Sequence, residues 1–145
     1  MAKIDVEVEI KRPVREVWDY YGDWEHWPEW SPSGKNVELV SGAPYVVGTK
    51  IRAHSLVMGR PQEWTLTVTE VDPYKLCVSV IAASMGTLEE RDTFSSTENG
   101  TRFRCVIEVK AKGIYKVFAP FYVRSLRRHQ TKDLARLRSI LESKK

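Results

Sequence analysis

Cysteine is scarce: the 145-residue chain has only Cys77 and Cys105. Each stands alone in an apolar run, "YKLCVSVI" and "FRCVIEV". With no CxxC and no Cys/His cluster, a zinc site has no support, and no metal is expected. Two reduced thiols buried in strands are the expectation. No run approaches about 18 uninterrupted apolar residues, so no transmembrane helix is expected. "MAKIDVEVEIKRP" lacks the apolar core of a signal peptide, which points to a cytoplasmic protein. Histidine is limited to His26, His54 and His129, far apart in sequence. There is no Gly-x-Ser-x-Gly, Walker loop, GxGxxG or His-Glu-x-x-His. These absences leave no strong signature of catalysis and imply no cofactor. Repeats, low-complexity segments and linkers are also missing, and the length suits one domain over residues 1–145.

Tryptophan is abundant in one place. "VWDYYGDWEHWPEWSPS" holds Trp18, Trp24, Trp27 and Trp30, four of the chain's five, together with Tyr20 and Tyr21. Val14, Val17, Trp18 and Tyr21 follow i, i+3, i+4, i+7 and line one helix face, with Pro13 suited to its first position. Gly22 ends that helix, Asp23 caps a second one carrying Trp24 and Trp27 on one side, and Pro28 and Pro32 stop it. Asp19, Asp23, Glu25 and Glu29 interleave with the aromatics, which argues against a membrane-lying helix.

Before this stretch, "KIDVEVEIK" alternates as a half-buried strand, with Ile4, Val6, Val8 and Ile10 on one face. After it come "NVELVSG", a turn region in "APYVVGT", and the strand "TKIRAHSLVMG", followed by a turn at Gly59-Arg60-Pro61. "QEWTLTVTEVDP" presents Trp64, Leu66 and Val68, and "YKLCVSVIAAS" presents Leu76, Val78 and Val80. "GTLEERDTFSS" is a weaker strand. Asn99-Gly100 signals a hairpin, and "TRFRCVIEVKAK" returns with Phe103, Cys105, Ile107 and Val109 on one face. From Pro120 to about 143 the pattern is helical, with Leu126, Leu134, Leu137 and Leu141 in a stripe. Such a helix would span about 36 Å, enough to cross a sheet. The order predicts an α+β fold: a curved antiparallel sheet of six to seven strands covered by a long C-terminal helix.

Several of these segments together resemble the SRPBCC superfamily: START domains, birch-pollen-allergen-like proteins and bacterial polyketide cyclase/dehydrase-like proteins. The segments are "RPVREVWDYYGDWEHWPEWSPS", "VGTKIR", "EWTLTVTEVDPYKL", "ENGTRFR" and "KDLARLRSILE". The resemblance covers nearly the whole chain. It implies a helix-grip fold, a sheet wrapped round the last helix, with a cavity between them for hydrophobic small molecules or lipids. In that setting Trp18, Trp27 and Trp30 read as plugs at one end of the grip, or as pocket walls.

Polar candidates for chemistry are few. In "LEERDTF", inward-facing Leu88 and Phe94 would carry Glu90 and Asp92 inward by period two. The pair could orient a ligand or serve as general acid and base. An edge or rim strand, where charge is cheap, is the competing reading. His54 faces outward if Ile51, Ala53, Ser55 and Val57 face in, and inward in the other register. His26 reads as exposed or capping, and His129 flanks the last helix's apolar stripe. Gln130 lies near the centre of that stripe and Asp133 at its edge. In "GIYKVFAPFYV", Phe118, Phe121 and Tyr122 read as gate residues. The segment from Arg124 to the C-terminus has eight Lys/Arg against Asp133 and Glu142, leaving it +6 and the rest −2. This fits a solvated helix face or a charged partner; exposed aromatics between the basic residues and any recognised nucleic-acid module are absent.

The leading expectation is binding of a small hydrophobic, aromatic or lipid-like ligand. Its walls would come from Trp64, Leu66, Val78, Val80, Leu88, Phe103, Ile107, Phe118, Phe121, Tyr122 and Leu126, with Glu90 and Gln130 fixing orientation. An alternative is an aromatase/cyclase-type enzyme performing aldol cyclisation or dehydration in the same cavity, with Glu90, Asp92 and His54 as its candidates. A second alternative is an interaction protein using the basic last helix. A monomer or weak dimer is expected, with no nucleic-acid partner and no stable membrane insertion.

Overall fold

The computed structural model describes residues 2–31, 35–41, 46–57 and 60–144, without the side chains of residues 24, 35, 36, 41, 56 and 57. Pro32, Gly59 and the first three residues of "APYVVGT" lie outside this set, as does the shared face expected for Trp24. Seven strands form one antiparallel sheet: β1 (Ala2–Ile10), β2 (Lys35–Ser41), β3 (Lys50–Val57), β4 (Arg60–Asp72), β5 (Leu76–Ala83), β6 (Gly86–Ser96) and β7 (Thr101–Ala111). Their order is β1-β7-β6-β5-β4-β3-β2. After β1 come α1 (Val14–Tyr21), a single 3-10 turn (Trp24–His26) and α2 (Trp27–Trp30), and the chain ends in α3 (Tyr115–Ser143). This is the α+β arrangement that the order of elements predicts, and the helix-grip architecture that the resemblance implies.

Local chemistry explains the boundaries. Pro13 stands just before α1 and Gly22 just after it; Asp23 caps the 3-10 turn by accepting from Glu25 N–H at 3.1 Å. At the β6–β7 hairpin, Thr97 N–H donates to the Gly100 carbonyl at 2.8 Å. A Cβ on Gly100 would strike the Ile10 carbonyl, so this turn needs glycine for close approach.

The last helix starts earlier than the pattern suggests, at Tyr115, with Pro120 inside it. Its opening is wound tightly: Tyr115, Lys116 and Val117 N–H groups donate three residues back, to Lys112, Gly113 and Ile114. Pro120 and Lys116 are both exposed, so water can reach the Lys116 carbonyl that proline leaves unbonded.

The helix is unequally seated. Its buried residues, Asp133, Leu134, Leu137 and Leu141, all belong to its second half. The three leucines join Ile4, Ile10, Val17, Phe103 and Ile107 in the core, each such apolar side chain contributing about 1.5–3 kcal/mol on burial. Arg12 Nε donates to the Leu141 carbonyl at 2.8 Å and Lys11 N–H to Glu142 Oε2 at 2.9 Å, fastening the helix C-terminus to the end of β1. The first half lacks such seating, and the space beneath it is the cavity.

Candidate ligand cavity

Between the sheet and the first half of α3 lies a cavity of about 700 Å³. Cross-strand register sets its walls. Trp64, Leu66 and Val68 on β4 stand opposite Ala83, Ile81 and Ser79 on β5, and directly paired residues share a face. The lining therefore takes Cys77, Ser79, Ile81 and Ala83 from β5. Val78 and Val80, expected in the wall, project from the opposite face. The strand is apolar on both faces, so alternation alone favoured its bulkier set. Trp64, Leu66, Leu88, Glu90, Phe103, Ile107, Phe118, Phe121, Tyr122, Leu126 and Gln130 line the cavity. Sequence reasoning missed Tyr21, Ser79 and Ile81, and placed both cysteines in the core without a cavity role. The pairing Val68↔Ser79 carries the missing information, and it is a tertiary fact.

His54 lies outside the cavity. Ile51 and Ser55 line it, and His54, between them in period two, projects the other way, 3.8 Å from Glu63. That removes it from any chemistry inside. His26 stacks on Tyr20 at 4.6 Å and contacts Asp23 and Glu29. His129 is in the wall, its Nδ1 3.4 Å from Ser125 Oγ.

The carboxyls are held within the sheet. β6 sits between β5 and β7, which overturns the edge-strand reading of "LEERDTF". Glu90 pairs with Ser79 on one side and Ile107 on the other, and Asp92 with Cys77 and Cys105. Asp92 is 1% exposed, and Tyr21 Oη donates to its Oδ2. Its Oδ1 has no hydrogen-bond partner. Burial pushes the Glu90 carboxyl well above its usual range, and the negative charge of Asp92 adds to this. Asp92 is raised by burial, against the pull of hydrogen bonds from Glu90, Tyr21 and Cys105. Both shifts favour the protonated form of the pair where ordinary carboxyls are ionised. Burial also raises the Cys77 and Cys105 thiols, with the Asp92 and Glu90 charges adding to it. Such thiols are poor nucleophiles. Ligand atoms of Glu90, Asp92 and Cys105 lie within 4.8 Å of one another, the group among the described residues with metal-ligating chemistry.

Other polar groups line the space. Asp133 accepts from Ser31 Oγ at 2.8 Å and from Arg136 at 3.0 Å; burial raises its carboxyl and these donors oppose the rise. Trp64 Nε1 donates to Ser55 Oγ at 2.8 Å. Trp30 is buried in the wall, and its Nε1 has no partner.

The tryptophans divide their labour. Trp18 lies 5.1 Å from Phe94 in edge contact, and Tyr21, Phe94 and Phe103 pack mutually at 4.7–5.2 Å. This aromatic block closes the end of the cavity beside Asp92. Trp27 and Trp30 are wall residues, and Trp27 Nε1 donates to the Tyr21 carbonyl at 3.1 Å. At the other end Phe121 is 72% exposed and Phe118 38% exposed while both line the cavity, so they mark its mouth.

Helix, sheet and enclosed cavity define a protein of the helix-grip class. The sequence pattern described as polyketide cyclase / dehydrase and lipid transport matches residues 1–142, and the chain belongs to that family, within the SRPBCC superfamily. No curated protein matches the sequence. Among solved structures, TTHA0849 from Thermus thermophilus is similar at 17% identity and a TM-score of 0.80, with 95% of each chain covered. Ara h 8.0201 is similar at 13% identity and a TM-score of 0.66, over 94% of this chain and 97% of that one. DynU16, from the dynemicin biosynthetic locus, is similar at 18% identity and a TM-score of 0.70, over 97% of this chain and 47% of that one. These likenesses are of fold. Among the described residues, no helix is long and apolar enough to cross a membrane.

Proposed function

We propose that the protein binds a small, largely apolar molecule between its sheet and the first half of α3. The carrying observation is the cavity itself: about 700 Å³, the size of a site for a drug-sized ligand. A packed domain without a ligand role leaves few voids larger than a water molecule. Phe118 and Phe121 form the gate. Glu90, Gln130 and the unpaired Trp30 Nε1 are the polar points that fix orientation. The family's description, which names lipid transport, supports the same reading.

A second reading has its own observation. Burial and mutual repulsion favour the protonated form of the Glu90–Asp92 pair in a largely apolar wall, the state required of a general acid. A cyclase-type reaction would use it to protonate a developing alkoxide or a departing hydroxyl during aldol cyclisation or dehydration. Native mass spectrometry of freshly purified protein, compared with its denatured mass, tests the first reading. Release of a small apolar molecule supports it. An empty protein that also gains no thermal stability from any apolar probe overturns it. Turnover of a poly-β-ketone chain, lost in Glu90→Gln while binding persists, would favour the second.

A further inference from the structure

The cavity is lined by carboxyl groups. Its described lining includes Glu90 and Asp133 and neither lysine nor arginine. Asp133 is answered by Arg136 and Ser31. Glu90 and Asp92 are not: among the described residues neither takes part in an ion pair. Around them stand Tyr21 from α1, Cys77 from β5 and Cys105 from β7. Asp133 and His129 in the wall come from α3. Hydroxyl and thiol groups can donate, but none of these neighbours is a permanent cation.

A buried carboxylate without a counter-charge costs several kcal/mol. A proton on Glu90 meets that cost. A ligand that brings its own positive charge to Glu90 meets it as well, and Asp92, buried beside Glu90 and outside the described lining, adds its negative charge from behind. The neighbouring walls suit the same ligand. Tyr21, Trp27, Trp30, Trp64, Phe103 and Tyr122 line the space, and aromatic faces attract an organic cation while accepting apolar carbon.

We infer that the cavity selects a hydrophobic molecule bearing a basic nitrogen, its ammonium group held by Glu90, with the Asp92 carboxyl behind it, and its apolar body by the aromatic wall. The inference rests on the cavity being a ligand site. The ammonium arrives with its three N–H donors, and the proton on the carboxyl pair leaves to solvent, so charge and protons balance. A ligand ending in a carboxylate meets like charge at this point and is disfavoured.

Three probes of one shape test it: 1-naphthylmethylamine, 1-naphthalenemethanol and 1-naphthoic acid, titrated calorimetrically into the full chain near neutral pH. The amine is expected to bind at least roughly tenfold tighter than the alcohol, about 1.4 kcal/mol, with the acid weakest. Amine binding should release protons, seen as a heat that changes with the buffer's ionisation enthalpy; alcohol binding should not. In Glu90→Gln the preference should fall below about threefold. Should that variant fail to fold, the proton release of the unaltered chain decides. Equal binding of amine and alcohol leaves the cavity a ligand site and overturns the cation inference. Binding of none of the probes overturns both. Tight binding of zinc alone, removed by Cys105→Ser and without amine preference, makes the cluster a metal site and also overturns it.

Discussion

The Tyr21 hydroxyl donates to the carboxyl of Asp92, 71 residues further along the chain. This bond joins the end of α1 to the middle of β6 and closes one end of the cavity. Tyr21→Phe keeps the ring packing against Phe94 and Phe103 and removes only the donor. Asp92 would then keep only Glu90 and Cys105 as donors to its ionised form. The expected loss is about 1–3 kcal/mol, measured by urea unfolding at neutral pH. It should shrink in acid, where Asp92 is protonated.

The Glu90 carboxyl sets a slope of stability against pH. Its folded-state pKa is raised by burial and by Asp92, so the native state holds a proton that the unfolded chain, titrating near 4.3, has released. Stability from this group is therefore fully present below the ordinary carboxylate range and declines as pH rises through the window up to the raised value. Asp5, Glu29 and Glu142 act in the opposite sense. Arg104, Tyr20 and the Lys11 N–H respectively are the leading causes that lower them, so their contribution is lost only as pH falls through the acid range. In Glu90→Gln the alkaline decline should flatten, by up to about 1.4 kcal/mol per pH unit within the window. Unfolding curves between pH ~5 and ~8 measure it; parallel curves for the two proteins would remove Glu90 as the cause.

The two halves of α3 should respond differently to truncation. Leu137 is fully buried against the sheet, and Leu137→Ala is expected to cost about 2–5 kcal/mol because a void replaces packed atoms. Leu126 already borders open space and is half-buried. Leu126→Ala creates little new void and should cost under about 1.5 kcal/mol, while weakening an apolar probe. Thermal unfolding of both variants, with and without probe, separates core from wall.

The fold was legible because it rests on periodicity. Ile4, Val6, Val8 and Ile10 alternate, α1 has a helical stripe, and Gly22 and Asn99-Gly100 mark ends and turns. The site was legible only in part. Glu90 was placed inward because Leu88 and Phe94 flank it at even spacing. Val78 and Val80 were misplaced because β5 is apolar on both faces, so its orientation depends on pairing with β4. The Cys77–Asp92–Cys105 row joins three strands in register, and no single segment encodes such a row. Pro120 hid the start of α3 because proline reads as a helix boundary, whereas solvent exposure lets it sit within one.

Ser79 offers a way to remove the site without removing the fold. It is buried in the wall, paired with Val68 on β4 and Glu90 on β6. Ser79→Phe projects a ring into open space instead of packed atoms, so overpacking strain is small. The ring gains apolar burial, and stability should stay within about 1 kcal/mol of the parent. It also stands over Glu90 and takes up space the ligand needs. Binding of a naphthyl probe should weaken at least roughly tenfold, or about 1.4 kcal/mol, with the unfolding transition still cooperative. Calorimetry beside thermal unfolding reads both quantities. Undiminished binding in a stable Ser79→Phe protein would mean that the molecule docks at the Phe118–Phe121 mouth and not against β5 and β6.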